Sequence, residues 1–196
     1  MAWPLWIYYK GEKVKKYEAP EIGYEKLKAG DVVFTGGRGL FSRVIRRITG
    51  KGKKAEETAT HVGIIVDFNG QKLVAEMLGG GLTISSLEEY RKSPRRFIIG
   101  VGTLPGMTDE SRKKLGELVA IHRRKTIEYD WPGIFTYIGI GRHDPDRFYC
   151  SEYVAKLLAD FGIVKVQPGP FGGVSPEDLL AFFKMNHRAR MIEYTA

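Results

Sequence analysis

HVGIIVDFNGQKLVAEML, residues 61–78, consists of two runs of β-forming residues around Asn69-Gly70. Asn-Gly suits the two central positions of a type I′ turn, where both residues take left-handed backbone and the turn's twist matches that of the strands. The stretch therefore predicts a tight hairpin in which Phe68 pairs with Gln71. In that register His61 falls opposite Leu78, and Glu76 lies on the same face one diagonal step away. A three-residue loop would shift the register and turn Glu76 to the other face.

Upstream of the hairpin, DVVFT at 31–35 reads as a short apolar strand, followed by a glycine-rich link at 36–39. Leu40, Phe41, Val44, Ile45 and Ile48 then recur at helical spacing with Arg43, Arg46 and Arg47 among them, which predicts a basic amphipathic helix over 40–49. The commoner use of such a face is to pack on a core. Residues 50–59, GKGKKAEETA, lack an apolar period and read as an exposed loop. Trp6 to Tyr17 reads as a further hairpin around Lys10-Gly11-Glu12.

Downstream, Gly79-Gly80-Gly81 ends the hairpin, LTIS at 82–85 begins another strand, and RRFIIGVGTL at 95–104 supplies one more. Residues 108–125 predict a helix, with Thr108 as N-cap, acids in the first turn and bases in the last. Residues 149–161 predict a second, with Val154, Leu157, Leu158 and Phe161 as its apolar stripe and Gly162 as the terminating glycine. Ser175-Pro176-Glu177-Asp178 opens a third. This order of elements predicts an α+β fold with a mostly antiparallel sheet. A single domain over 1–196 is expected, with residues 1–20 as an N-terminal hairpin extension.

The 196 residues suffice for a core that needs neither disulfides nor metal staples. One cysteine forms no intramolecular disulfide and no cysteine-rich zinc site. No cofactor or metal site is indicated. The net charge of +8 suits a polyanionic partner as well as it suits an ordinary basic surface. No signal peptide or membrane-length apolar run is recognisable, so the default location is the cytoplasm.

The ordinary role of a lone cysteine is a buried small hydrophobe. Cys150, however, stands at the start of its helix, ahead of the apolar stripe, where free backbone N–H groups and the dipole stabilise a thiolate. A thiolate nucleophile needs a base nearby. Of the four histidines, His122 sits in a basic helix end, His143 in a polar loop and His187 at another helix end. His61 opens an apolar strand at a sheet end, where side chains face a cleft. Glu76, a carboxylate within an otherwise apolar strand, is placed by the hairpin register to orient it. Tyr149, next to the cysteine, either lines the substrate site or packs as an aromatic.

GDVVF at 30–34, FSRVIRRITG at 41–50, THVGIIV at 60–66, VAEM at 74–77, LTISSLEEY at 82–90, YDW at 129–131, FYCSEYVAKLL at 148–158 and SPEDLL at 175–180 together resemble the permuted branch of the NlpC family of papain-like cysteine peptidases. This branch is the YiiX-like group, more distantly related to lecithin:retinol acyltransferase. The resemblance implies a circularly permuted papain-like fold with the sheet before the catalytic helix, and a triad in the order His61, Glu76, Cys150. It implies acyl transfer through a thioester, with the Cys150 N–H in the oxyanion site. The first expectation is hydrolysis of an amide, in a peptide of the cell-wall type. A lipid-directed acyl hydrolase or acyltransferase with the same site is the alternative, in which the basic segment 38–54 touches an anionic polymer or membrane surface. A non-enzymatic polyanion binder ranks third, and no nucleic acid is expected, since no aromatic-basic recognition motif accompanies the charge.

Overall fold

The computed structural model describes residues 26–50, 52–54, 57–87, 96–104, 106–134, 144, 146–162, 173–185 and 190–193. The hairpin expected at 5–18, His143 and His187 lie outside them. Six strands form one antiparallel sheet: β1 (Val32–Gly37), β2 (His61–Phe68), β3 (Gln71–Leu78), β4 (Gly81–Ser86), β5 (Arg96–Thr103) and β6 (Arg190–Glu193), in the spatial order β4-β3-β2-β1-β5-β6. Four helices are described: α1 (Leu40–Thr49), α2 (Asp109–Arg124), α3 (Cys150–Asp160) and α4 (Pro176–Met185). The fold is α+β, as the order of elements predicts.

The β2–β3 hairpin has the expected register, from Phe68 with Gln71 to Ile64 with Ala75. Asn69 and Gly70 have φ of 54° and 84°, the left-handed values that a type I′ turn requires. The Asp67 carboxylate closes the turn by accepting from the Gly70 N–H at 2.7 Å. Beyond Ile64 the start of β2 is held from its other side, where His61 pairs with Thr35 of β1.

Val32, Phe34, Val62, Ile64, Val66, Ala75 and Met77 alternate onto one face and join Tyr153, Val154, Leu157 and Leu158 of α3 in the main core. Helix α3 packs on β2 and β3, α2 packs on β2 and β4, and α4 packs on α3 and β6. Leu115 and Val119 are the buried positions of α2, and Thr108 caps it by accepting from the Ser111 N–H. Ser175 and Asp178 form a reciprocal cap at the start of α4.

Four elements differ from expectation. Strand β1 continues through Gly36 and Gly37, which pair with Phe97 and Arg96; the Phe97 ring occupies the space a side chain at Gly36 would need. Residues 190–193 add strand β6 beside β5, a strand for which the sequence reading has no counterpart. The described residues within 50–59 are tied down rather than loose. The buried Glu177 carboxylate accepts from the Ala59 N–H and from Lys53 Nζ, both at 2.6 Å, and Thr58 and Ala59 are buried. Finally, α1 buries only Ile45; Leu40, Phe41 and Val44 are exposed.

Candidate active site

The chain entering β2 is fixed before it reaches His61. Glu177 holds Ala59, the Thr60 N–H donates to the Thr35 carbonyl at 2.9 Å, and Thr60 Oγ1 accepts from the Gly37 N–H at 2.9 Å. His61 therefore emerges at a defined point on the sheet end. Its Nε2 lies 2.6 Å from Glu76 Oε2. Glu76 is fully buried, and three side chains satisfy it: His61, Arg96, which donates through Nη1 at 2.8 Å, and Ser85, which donates through Oγ at 3.2 Å. Burial alone would raise the Glu76 carboxyl, but the hydrogen bond and charge of His61, with those of Arg96, hold it below the usual carboxylate range.

Cys150 is the first residue of α3 and is 3% exposed. Val174 docks against this helix end: its N–H donates to the Tyr149 hydroxyl at 2.9 Å, and its carbonyl accepts from Ser151 Oγ at 2.6 Å. The Glu152 carboxylate reaches back to the Tyr149 N–H, and burial pushes this carboxyl up to about 7.

Cys150 and His61 interact directly. Burial pushes the imidazole down, but the charge of Cys150 and a hydrogen bond with it, followed by those of Glu76, raise His61 to about 10. Because Glu76 occupies Nε2, Nδ1 is the nitrogen left for the sulfur. Imidazole, buried carboxylate and thiol thus meet at the end of the sheet. His122 is elsewhere: it sits between α2 and α3 with Nδ1 3.2 Å from the Tyr153 hydroxyl.

A cleft of about 190 Å³ opens beside His61, lined among others by Thr35, Ser42, Met77, Arg96, Tyr129 and Trp131. Tyr149 is not among its lining residues. It is 1% exposed with its hydroxyl occupied by Val174, so it takes the packing role and not the substrate-lining one. Tyr129, by contrast, lines the cleft. Burial first, then the charges of Cys150, Glu152 and Asp130, raise its phenol well above the ordinary value, so it stays a proton donor. Thr35 Oγ1 is buried without a hydrogen-bond partner among the described residues, and Thr35 lines the same cleft.

Sequence reasoning missed Arg96 and Tyr129. Arg96 opens β5, which β2 and β1 separate from β3, and reaches Glu76 only because the sheet end brings them together. Tyr129 had a signal in the YDW stretch, but nothing in its spacing pointed at the cysteine. Asp130 of that stretch is buried and accepts from the Gly133 N–H at 2.9 Å, which fixes the turn beyond Tyr129.

The fold is that of a YiiX-like α+β protein, in which strands β1 to β5 precede the helix that begins at the cysteine. The metalloprotein yiiX from Escherichia coli O157:H7 has a similar solved structure, with a TM-score of 0.60 and 18% sequence identity over 85% of this chain and 97% of that one. No family model and no curated protein matches the chain. At this identity the likeness concerns the fold alone. Among the described residues no group of three or more His, Cys, Asp or Glu side chains is arranged to hold a metal ion, and His61 and Glu76 are engaged with each other.

Proposed function

We propose that the chain is a papain-like cysteine acyl hydrolase of the permuted NlpC type, working through a thioester at Cys150. The observation that carries this reading is the line of contacts from Glu76 through His61 to Cys150 at a helix N-terminus. A base that meets the thiol on one side and is oriented by a buried carboxylate on the other is the arrangement that activates a cysteine nucleophile.

The Cys150 thiolate attacks an acyl carbonyl carbon and forms the C–S bond. The carbonyl π pair moves to oxygen, where the Cys150 backbone N–H and the Tyr129 hydroxyl donate to it. The tetrahedral adduct collapses, the bond to the leaving nitrogen or oxygen breaks, and the leaving group takes its proton from His61. Water then attacks the thioester as His61 accepts its proton, and breaking the C–S bond returns the carboxylic acid and the Cys150–His61 pair. Glu76 holds the ring and balances the imidazolium, and Arg96 holds Glu76.

Two substrate classes suit this chemistry, a peptide amide and a lipid acyl group. The sequence favours the peptide because a helix face like that of α1 is ordinarily used by the core. Leu40, Phe41 and Val44 are exposed, which removes that ground and supports the lipid reading. The test is turnover of matched amide, ester and thioester substrates with soluble and lipid acyl chains. Cys150→Ala should abolish turnover, and Tyr129→Phe should lower kcat about a hundredfold while leaving thiol labelling intact. Turnover that survives in Cys150→Ala contradicts the proposal.

A further inference from the structure

Helix α1 is constructed the wrong way round for a core helix. At about 3.6 residues per turn its positions divide into two arcs. One faces the body: Ile45 is buried, Arg46 donates through Nη2 to the Gly37 carbonyl at 2.6 Å, and Ser42 lines the cleft. The other arc runs Arg43, Arg47, Leu40, Val44, Phe41. Leu40 is 78% exposed, Val44 43% and Phe41 39%, and both arginines are exposed. Phe41 meets Trp131, itself 49% exposed, edge to face at 5.5 Å, and Trp131 lies 4.9 Å from Tyr129 between ring centroids. Gly79 makes room for this ledge, because a Cβ there would come within 2.5 Å of the Trp131 ring. A continuous apolar and aromatic strip thus leads from solvent into the cleft beside His61, with Arg43 and Arg47 along its outer edge and Arg38 exposed just before the helix.

From this we infer that α1 and Trp131 form a docking surface for an anionic lipid bilayer. Exposed leucine, phenylalanine and tryptophan reach the boundary between headgroups and acyl chains, and arginines at the same level meet the headgroup phosphates. The charges fit this use: within the basic segment 38–54, Arg46 donates to the Gly37 carbonyl and the half-exposed Lys53 is paired with Glu177, and Arg38, Arg43, Arg47 and Lys54 are exposed. A net charge of +8 adds long-range attraction to the same surface. The docked orientation sets the mouth of the cleft against the membrane, so the acyl chain enters along the aromatic ledge. The docking surface stands apart from catalysis; that it delivers the substrate rests on the thioester reading.

Docking is measured by co-sedimentation of the full chain carrying Cys150→Ala with vesicles of phosphatidylcholine alone and of phosphatidylcholine with phosphatidylglycerol. Binding should require the anionic lipid, fall with salt, and shift Trp131 emission to the blue, a shift lost in Trp131→Phe. Neutralising Arg43 and Arg47 with glutamine should weaken binding about thirtyfold, at up to about 1 kcal/mol for each. Leu40→Ser with Val44→Ser should weaken it about tenfold. These four side chains are exposed, so an unchanged melting temperature establishes that the variants fold. Vesicle binding at background overturns the inference. So does binding that neither pair alters, or a concentration-dependent dimer that Leu40→Ser with Val44→Ser dissolves. Anionic binding in Cys150→Ala, combined with wild-type protein that turns over no acyl substrate, upholds the docking surface and contradicts the thioester reading instead.

Discussion

At the scale of single residues, the site turns on a buried carboxylate satisfied by three side chains. Glu76 is tolerated because His61 and Arg96 both donate to it and Ser85 takes its second oxygen. The two titrating partners have opposite signs. His61 is raised from 6.5 to about 10, so its contribution to stability is complete below pH 6.5 and is lost as pH rises through about 10. Glu76 is lowered, so its contribution is complete above 4.5 and is lost as pH falls below that value. Urea unfolding followed across pH should therefore show an alkaline loss in the wild type as pH rises towards 10. His61→Asn should lose clearly less there, while Glu76 keeps Arg96 and Ser85 in either protein. An alkaline loss of equal size in both would show that His61 is not the raised group. Glu76 was legible in the sequence because the Asn-Gly turn fixes the register. Arg96 was not, because its contact crosses two strand positions that no local pattern relates.

At the scale of elements, the approach to His61 depends on α4. Glu177 would pass for an ordinary helix-dipole acid, yet it spans to Ala59 and Lys53. Lys53 is about half exposed, so its ion pair contributes little, whereas the Ala59 N–H is buried and needs an acceptor. Glu177→Ala should cost about 1–3 kcal/mol by thermal or denaturant melting. Glu177→Gln, which keeps an acceptor, should cost clearly less, and Lys53→Ala should stay under about 1 kcal/mol. Equal losses in all three would place the stabilisation in the ion pair. The basic, glycine-rich composition of 50–59 signals an exposed loop and hides this tether, since composition carries no information about a partner 118 residues away. Helix α1 shows the converse: its periodicity is correctly helical, but periodicity does not say which face the body covers.

At the scale of the whole molecule, the local signals settled the class of fold, and the long-range pairings completed it. Alternation, the Asn-Gly turn, the Thr108 and Ser175 caps and the apolar stripe of α3 each lie within a few residues, so they could be read directly. That β1 lies between β2 and β5, and that residues 190–193 close the edge beside β5, is decided by packing between distant segments. The same division holds for the site. The pairing of His61 with Glu76 is local, and the position of Cys150 at a helix start is local, but their meeting is a property of the fold. That meeting is also the central claim, and thiol labelling tests it most directly. The full chain is reacted with iodoacetamide across pH 5 to 8, and the modified mass is followed with time in the wild type and in His61→Ala. Cys150 should react faster than a free thiol below pH 7, and His61→Ala should slow it markedly near neutral pH. Labelling no faster than a free thiol, and unchanged in His61→Ala, would contradict the account.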